Sequence, residues 1–162
     1  MTDQSGDMQY VTLCLGEEVF AVPVALVREI LDYRETFHIP DGPKFLLGLI
    51  DVRGRGTPVI DLRTKLGLMP IAPTPTSRMI VLDVPLKDRV LALCLVADKV
   101  LEVTTFALAQ IEAAPDIGVP WRSYYIDGVV RRESGFVVLF NLAKLLTSVE
   151  LAAVNSSVLE AA

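Results

Sequence analysis

The chain has 162 residues, of which 52% are hydrophobic, and it carries a formal net charge of −5. This acidic balance argues against a nucleic-acid-binding surface, because such a surface needs a basic stripe. The longest strongly apolar run, residues 90–97, is far shorter than the roughly 18 residues of a membrane-spanning helix. Residues 1–7 are acidic and polar, which predicts that no signal peptide is present. We therefore expect a cytoplasmic protein without direct membrane insertion, folded as one compact unit or as two small units with a shared core.

The N-terminal part of the chain predicts a β-hairpin followed by a short helix. Residues 10–15 alternate in polarity, residues 16–18 are typical of a turn, and residues 19–22 return as a second strand. Pro23 then opens the segment 24–31, in which apolar side chains stand at positions 24, 27, 30 and 31. This spacing, with a proline in the first turn, predicts a short α-helix.

A second hairpin is predicted around Gly54 and Gly56. Residues 45–52 are mostly apolar, and an extended pattern resumes at residues 58–62. Two glycines within three residues allow backbone angles that a branched residue resists, so a tight turn joins the two strands. Because Pro58 cannot donate a ladder hydrogen bond, we expect it at the start or edge of its strand. Spacing alone favours a plain hairpin whose charged residues face solvent.

The second half of the chain begins after a proline-rich segment. Residues 68–77 contain three prolines and predict an irregular linker between the two halves. Beyond it the sequence predicts strands and then a C-terminal helix. The strands cover residues 78–84, 89–96, 124–130 and 136–139, and the helix covers about residues 141–153.

The two halves repeat one another weakly. Gly48 and Asp61 recur 80 positions later as Gly128 and Asn141, each within a similar apolar pattern. Val27 and the residues around it recur 73 positions later around Val100. Short strands interrupted by turns, twice over, predict a duplicated all-β unit that forms two small barrels packed together.

Residues for catalysis or metal binding are scarce. His38 is the only histidine, so neither a metal cluster nor a Ser/His/Asp constellation can be assembled around histidines. Residues 54–57 lack the Gly-Lys-Ser/Thr of a phosphate-binding loop. Cys14 and Cys94 lie in separate apolar segments, which indicates buried, reduced thiols. We expect no enzymatic activity, no cofactor and no bound metal.

The central hairpin resembles a known family signature. Residues 48–54, Gly-Leu-Ile-Asp-Val-Arg-Gly, together with residues 57–63 and 65–68, are similar to the signature of the CheW-like domain. The resemblance implies a mainly β fold of two five-stranded SH3-like or OB-like barrels packed together, with short helices. It implies one CheW-like domain over residues 1–162, with subdomains at about residues 9–68 and 78–146 between which strands can be exchanged.

The same resemblance implies a role in chemotaxis signalling. CheW-like proteins are non-enzymatic adaptors that couple chemoreceptors, the methyl-accepting chemotaxis proteins, to the regulatory domain of a CheA-like histidine kinase. It further implies contacts with other CheW-like domains in array rings and a cytoplasmic location at membrane-bound receptor arrays. Two alternatives stay open at this point: an adaptor of a non-motility chemosensory pathway, and a small-ligand-binding β-barrel.

Candidate site residues follow from the resemblance by position. The receptor-binding set implied in this chain is Val27, Glu29, Gly48, Asp51, Val52, Arg53 and Gly54. Glu29 and Arg53 are expected to form an ion pair beside the receptor groove, and Ile117 is implied as a kinase or array contact. The family usually has asparagine where this chain has Asp51. Because an ionised aspartate only accepts hydrogen bonds, we expect Asp51 to alter receptor selectivity or to hold the turn.

Overall fold

The computed structural model describes residues 7–113, 125–133 and 135–145. Within these ranges the chain is mainly β, as predicted, with only short helical segments. The strands are β1 (Met8–Leu15), β2 (Glu18–Pro23), β3 (Val27–Asp32), β4 (Leu46–Val52), β5 (Arg55–Ile60), β6 (Arg78–Pro85), β7 (Val90–Ala97), β8 (Lys99–Phe106), β9 (Ile111–Glu112), β10 (Ile126–Arg132) and β11 (Gly135–Phe140). The α-helices are α1 (Leu62–Lys65) and α2 (Leu142–Leu145), and single 3₁₀ turns cover Val24–Leu26 and Leu108–Gln110.

The strands form two packed sheets. The six-stranded sheet has the order β8-β1-β2-β11-β10-β9, and the five-stranded sheet has the order β3-β6-β7-β5-β4. Neighbouring strands are antiparallel except for β2 with β11 and β5 with β7, which pair in parallel. Each parallel pair joins a strand from one half of the chain to a strand from the other half. The halves therefore complete each other's sheets.

The prediction of an α-helix over residues 24–31 is wrong. Only Val24–Leu26 forms a helical turn, of the 3₁₀ type, and residues from Val27 onward form β3. Burial along β3 alternates at every second residue, which is the period of a strand whose one face is covered. The apolar spacing in this segment fits both periods, and pairing with β6 decides in favour of the strand.

Three apolar clusters explain the high hydrophobic content. A central cluster between the sheets takes alternate residues of β1, β2, β6 and β7, together with side chains from both α-helices. The residues in between face a second cluster inside the six-stranded sheet or a third inside the five-stranded sheet. On β6, for example, Ile80 and Leu82 face the central cluster while Met79 and Val81 face the third. These strands bury both faces, which explains why their sequences are nearly continuous apolar runs.

The topology supports the duplication predicted from the sequence. The first five strands of the larger sheet, in the order β8-β1-β2-β11-β10, correspond one by one to the strands of the smaller sheet, in the order β3-β6-β7-β5-β4. The two-residue strand β9 corresponds to an isolated bridge between Phe37 and Leu49 in the other half. Each sheet draws strands from both sides of the linker. The subdomain boundaries at about residues 9–68 and 78–146 stay a prediction.

The repeated glycine and Asp/Asn positions have matching structural roles. Gly48 and Gly128 each follow a bulge. A Cβ atom on Gly48 would lie 2.2 Å from Phe37 O, and a Cβ atom on Gly128 would lie 2.6 Å from Glu112 O. Asp61 precedes α1, and its Oδ1 accepts a hydrogen bond from Arg63 N at 3.2 Å. Asn141 precedes α2, and its Oδ1 accepts one from Lys144 N at 3.2 Å. α2 confirms the start of the predicted C-terminal helix, whose continuation to residue 153 lies outside the described residues.

A polar contact between distant segments lies where the chain leaves β7 for β8. Asp98 is the single residue between these strands, and its carboxylate accepts hydrogen bonds from Arg63 Nε at 3.1 Å, from Arg63 Nη2, and from Gly16 N at 2.6 Å. Its N–H donates to Cys14 O at 3.0 Å, and its carbonyl accepts from Thr76 Oγ1 at 2.9 Å. We call Arg63, Asp98 and Gly16 the Asp98 junction.

Stability should depend on the charge of Asp98. The hydrogen bonds from Arg63 hold the pKa of Asp98 below its usual 3.8; partial burial opposes this shift, and the N–H of Gly16 adds to it. Because the pKa is depressed in the folded state, this stabilisation is present above about pH 4 and is lost as the pH falls through the folded-state pKa. We expect Asp98→Asn to lower the free energy of unfolding by about 1–2 kcal/mol at neutral pH.

The measurement is chemical denaturation of both proteins at neutral pH and at several values below pH 4. The difference between wild type and Asp98→Asn should shrink in acid, since protonated wild-type Asp98 resembles the variant. A difference of constant size down to the lowest pH would contradict this account.

Candidate functional site

The turn between β4 and β5 has an unusual backbone for an arginine. Arg53 and Gly54 form a two-residue loop, and their φ angles are +52° and +84°. Positive φ at both loop residues is the pattern of a type I′ hairpin turn, which matches the twist of the flanking strands. Glycine adopts such angles freely, whereas a non-glycine residue needs compensating interactions. The sequence therefore predicted the tight turn correctly, and Arg53 lies at its tip.

Asp51 stabilises this turn through its side chain. Its Oδ1 accepts a hydrogen bond from Gly54 N at 2.7 Å, and its backbone carbonyl accepts one from Arg34 Nη1 at 2.8 Å. An asparagine could supply the same Oδ1 acceptor, so the turn does not require a charge at this position. Aspartate and asparagine differ at the other terminal atom of the side chain, where the Nδ2 of asparagine would donate a hydrogen bond and the Oδ2 of aspartate accepts one.

Glu29 and Arg53 form the ion pair that the resemblance implied. Arg53 Nε lies 2.9 Å from Glu29 Oε2, and Arg53 Nη2 lies 3.4 Å from Oε1, so both guanidinium donors face the carboxylate. The Arg53 side chain is 78% exposed and that of Glu29 is 21% exposed. These hydrogen bonds raise the pKa of the Arg53 guanidinium. Glu29 belongs to β3 and not to a helix, which corrects the element assigned to it from the sequence.

This ion pair joins the two outer strands of the five-stranded sheet. β3 and β4 stand at opposite ends of the strand order, yet Glu29 of β3 touches the turn that follows β4. The sheet must therefore curl until its edges approach each other. The six-stranded sheet has a counterpart, because Arg132 Nη2 of β10 lies 3.7 Å from Glu102 Oε1 of β8. The sequence repeat pairs Glu29 with Glu102, a signal that could have revealed this second pair.

The other candidate residues differ in accessibility. Asp51, Arg53 and Gly54 are exposed, and Val27 and Glu29 are partly buried. Gly48 and Val52 are buried, and Val52 packs in the cluster inside the five-stranded sheet. A partner can touch the exposed turn directly, whereas Gly48 and Val52 can act only by shaping it. Ile117 lies outside the described residues.

Other residues at this location were missed by sequence reasoning. Arg34 contacts the backbone of Asp51, and Ile30, beside Glu29 on β3, is 42% exposed although it is apolar. Two ion pairs lie on β3 on either side of Ile30: Arg28 with Asp83 at 3.1 Å and Asp32 with Arg78 at 3.6 Å. Assigning this segment as a strand would have predicted that Ile30 and Glu29 lie on opposite faces of β3.

Gly48 offers a test of whether the backbone requires glycine at this position. Gly48→Ala places a Cβ 2.2 Å from Phe37 O at a φ of +147°, so we expect a loss of more than about 2 kcal/mol of stability. Gly56→Ala is the matched control in the same hairpin, because its Cβ would meet only Leu49 Cδ1 at 3.8 Å. Thermal or denaturant unfolding measures both. Equal stabilities of the two variants would show that Gly48 is not required by the backbone.

The described residues contain little that could perform chemistry. Among them, no group of three or more His, Cys, Asp or Glu side chains could hold a metal ion. Burial raises the pKa of the Cys94 thiol to about 12, which makes it a poor nucleophile at neutral pH. In the part of the chain that the structure covers, no helix is long and apolar enough to cross a membrane.

Comparison with known proteins agrees with this geometry. The family model of the CheW-like domain matches residues 9–150. The chain is 28% identical over 146 residues to the chemotaxis protein CheW of Rhizobium meliloti, covering 90% of this chain and 92% of that protein. It is 29% identical over 148 residues to the chemotaxis protein CheW of Klebsiella aerogenes, covering 91% of this chain and 87% of that protein.

A solved structure has the same fold. The crystal structure of the scaffolding protein TtCheW from Thermoanaerobacter tengcongensis matches with a TM-score of 0.76 and 24% identity, over 88% of this chain and 90% of that one. At this identity the match speaks for the fold alone. Since the family model covers nearly the whole chain, and two packed sheets with the signature turn are present, the chain belongs to the CheW-like domain family.

Proposed function

We propose that this protein is a non-enzymatic adaptor that couples chemoreceptors to a CheA-type histidine kinase in chemotaxis signal transduction. The observation that carries the proposal is the family match over residues 9–150, with relatives named chemotaxis protein CheW that align along most of both chains. We further propose that the protein acts on the cytoplasmic side of membrane-bound receptor arrays.

The interior of each sheet favours an adaptor over a small-ligand-binding barrel. Side chains fill both interiors: Tyr10, Phe106 and Leu139 lie in one, and Met79, Val81 and Cys94 lie in the other. A surface pocket of about 420 Å³ lies at the ends of β2, β10 and β11, where Glu18, Arg132 and Phe136 line it. Ligand-binding barrels hold their ligand in an open lumen, and side chains occupy that space here.

The receptor is proposed to dock beside the β4–β5 turn. Asp51, Arg53 and Gly54 supply an exposed polar tip, and Ile30 and Val27 on the adjacent β3 supply apolar surface. The Glu29–Arg53 pair holds the turn against β3. Gly48 and Val52 are proposed to support this surface from below, and Ile117 stays proposed as a kinase or array contact.

The main test is complex formation. The purified protein, mixed with the regulatory domain of the CheA-like kinase from the same genome, should form a complex with a Kd on the order of micromolar. Apolar contacts should carry the binding, so it should survive moderate salt, which screens exposed ion pairs. Calorimetry measures both properties. The absence of a complex at high micromolar concentration would remove the adaptor proposal.

A double-mutant cycle tests the receptor side. Arg53→Ala and Glu29→Ala should each weaken binding of a receptor-tip fragment by at least about fivefold, while kinase-domain binding stays unchanged. Because both substitutions remove one interaction, the double mutant should bind about as weakly as either single mutant. Arg53→Lys should restore only part of the affinity, since lysine cannot donate two bonds in the guanidinium geometry.

Fluorescence anisotropy of a labelled receptor fragment measures the affinity of the wild type and of the four variants, and circular dichroism checks the fold. Additive losses would mean that the two residues act separately. Unchanged affinity in both single mutants would move the docking site to another face. Asp51→Asn in the same assay, with the fragments of its own and a foreign receptor, measures whether Asp51 sets receptor selectivity.

A further inference from the structure

The pocket at the ends of β2, β10 and β11 belongs to a longer groove. β2 and β11 pair in parallel, so their first residues lie side by side, and the pocket of about 420 Å³ opens between them. A smaller cavity of about 170 Å³ adjoins it, because Glu18 and Phe20 line both cavities. Leu66 and Leu68, which follow α1, line the smaller one. We call the two cavities together the β2–β11 groove.

The groove continues the apolar face that carries the central cluster. Phe20 belongs to this cluster, and Val138 packs against it. Glu18 and Phe136 precede them by two residues on the same strands, and side chains two residues apart point to the same face of a sheet. Phe20 is 5% exposed, whereas Phe136 is 50% exposed. Cover by the described residues therefore ends between these two rings, and one side of the groove keeps an aromatic surface open to water.

The unpaired charges that line the groove are negative. Glu17 and Glu18 are both exposed, and among the described residues their carboxylates form no ion pair and no side-chain hydrogen bond. Both residues line the larger cavity together with Phe136. An apolar wall with carboxylates at its rim fits a ligand that combines an apolar group with a positive charge.

The two arginines beside the groove already have carboxylate partners. Arg131 Nη2 lies 3.4 Å from Glu112 Oε1, and Arg132 Nη2 lies 3.7 Å from Glu102 Oε1. The Arg131 guanidinium also lies 5.2 Å from the centre of the Phe136 ring, so this ring already accepts a cation at one face. The negative charge at the rim is therefore left for a partner to neutralise.

We propose that the β2–β11 groove binds a segment of a partner protein in which a basic side chain stands next to an apolar one. The apolar side chain packs on Phe136 and removes its exposed surface from water. The basic side chain meets the carboxylates of Glu17 and Glu18. The groove lies on the six-stranded sheet, whereas the candidate receptor-docking residues lie on β3, β4 and the β4–β5 turn. The inference adds a second interaction surface and does not rest on the proposed function.

The test uses a capped tetrapeptide of alternating leucine and arginine, titrated into the full chain labelled with ¹⁵N. The amide resonances of Val19, Phe136 and Val137 should shift, and the affinity should fall with added salt. Glu17→Gln combined with Glu18→Gln should weaken binding about fivefold, because exposed charge contacts each contribute little. Phe136→Ala should weaken it by a similar factor, about fivefold, through the loss of apolar contact.

Two controls accompany these variants. The peptide in which glutamate replaces arginine should cause no shifts, since it would meet the rim with like charge. Glu35→Gln removes an exposed carboxylate from the segment between β3 and β4 and should leave the affinity unchanged. The variants with changes at Glu17, Glu18 or Phe136 should bind a receptor-tip fragment as the wild type does, because they lie on the other sheet.

The absence of shifts at millimolar peptide, or shifts confined to other residues, overturns the proposal. Equal affinity for the acidic peptide, or unchanged affinity in the double glutamine variant, overturns the role of Glu17 and Glu18. Sedimentation of the wild type without peptide distinguishes another occupant. Concentration-dependent association that the double glutamine variant lacks would assign the groove to a second copy of the chain and overturn the proposal. Failure to bind any receptor fragment or kinase domain would contradict only the proposed function.

Discussion

The structure depends on burying both faces of four central strands. β1 and β2 in one sheet, and β6 and β7 in the other, contribute to the shared central cluster with one face and to a separate interior cluster with the other. Such strands cannot exist alone in water, because each face needs its own apolar cover. This requirement fixes the sheets against each other and leaves the turns and edge strands free for other tasks. The candidate docking turn is one of these free elements.

Sequence reasoning predicted the parts that depend on local chemistry. The Gly-Arg-Gly region signalled the tight turn, the prolines signalled the linker, and alternation signalled most strands. The repeat of Gly48 and Asp61 as Gly128 and Asn141 marked a real equivalence, because each pair has the same backbone role in the fold. These signals work because steric limits on φ, close backbone approach and helix capping constrain individual residues.

The rest could not be predicted because it depends on contacts distant in sequence. The segment around Val27 has apolar residues that suit a helix or a strand, and only pairing with β6 makes it a strand. The exchange of strands between halves leaves no local signal. The site residues came from resemblance to a family and not from a physical pattern. Two of them, Gly48 and Val52, prove to be buried, which only the packed structure could reveal.

Strand exchange between the halves has a consequence for the order of folding. The five-stranded sheet has all of its strands once residue 97 has been synthesised, whereas the six-stranded sheet needs β11, which ends at Phe140. During synthesis β1 and β2 emerge first but wait longest for their partners β8 and β11. Contacts of such long sequence separation are slow to form, because the loop must close before the contact stabilises it. The first hairpin to leave the ribosome thus exposes apolar edges until nearly the whole chain has been made. During this waiting period the nascent protein is most prone to aggregate.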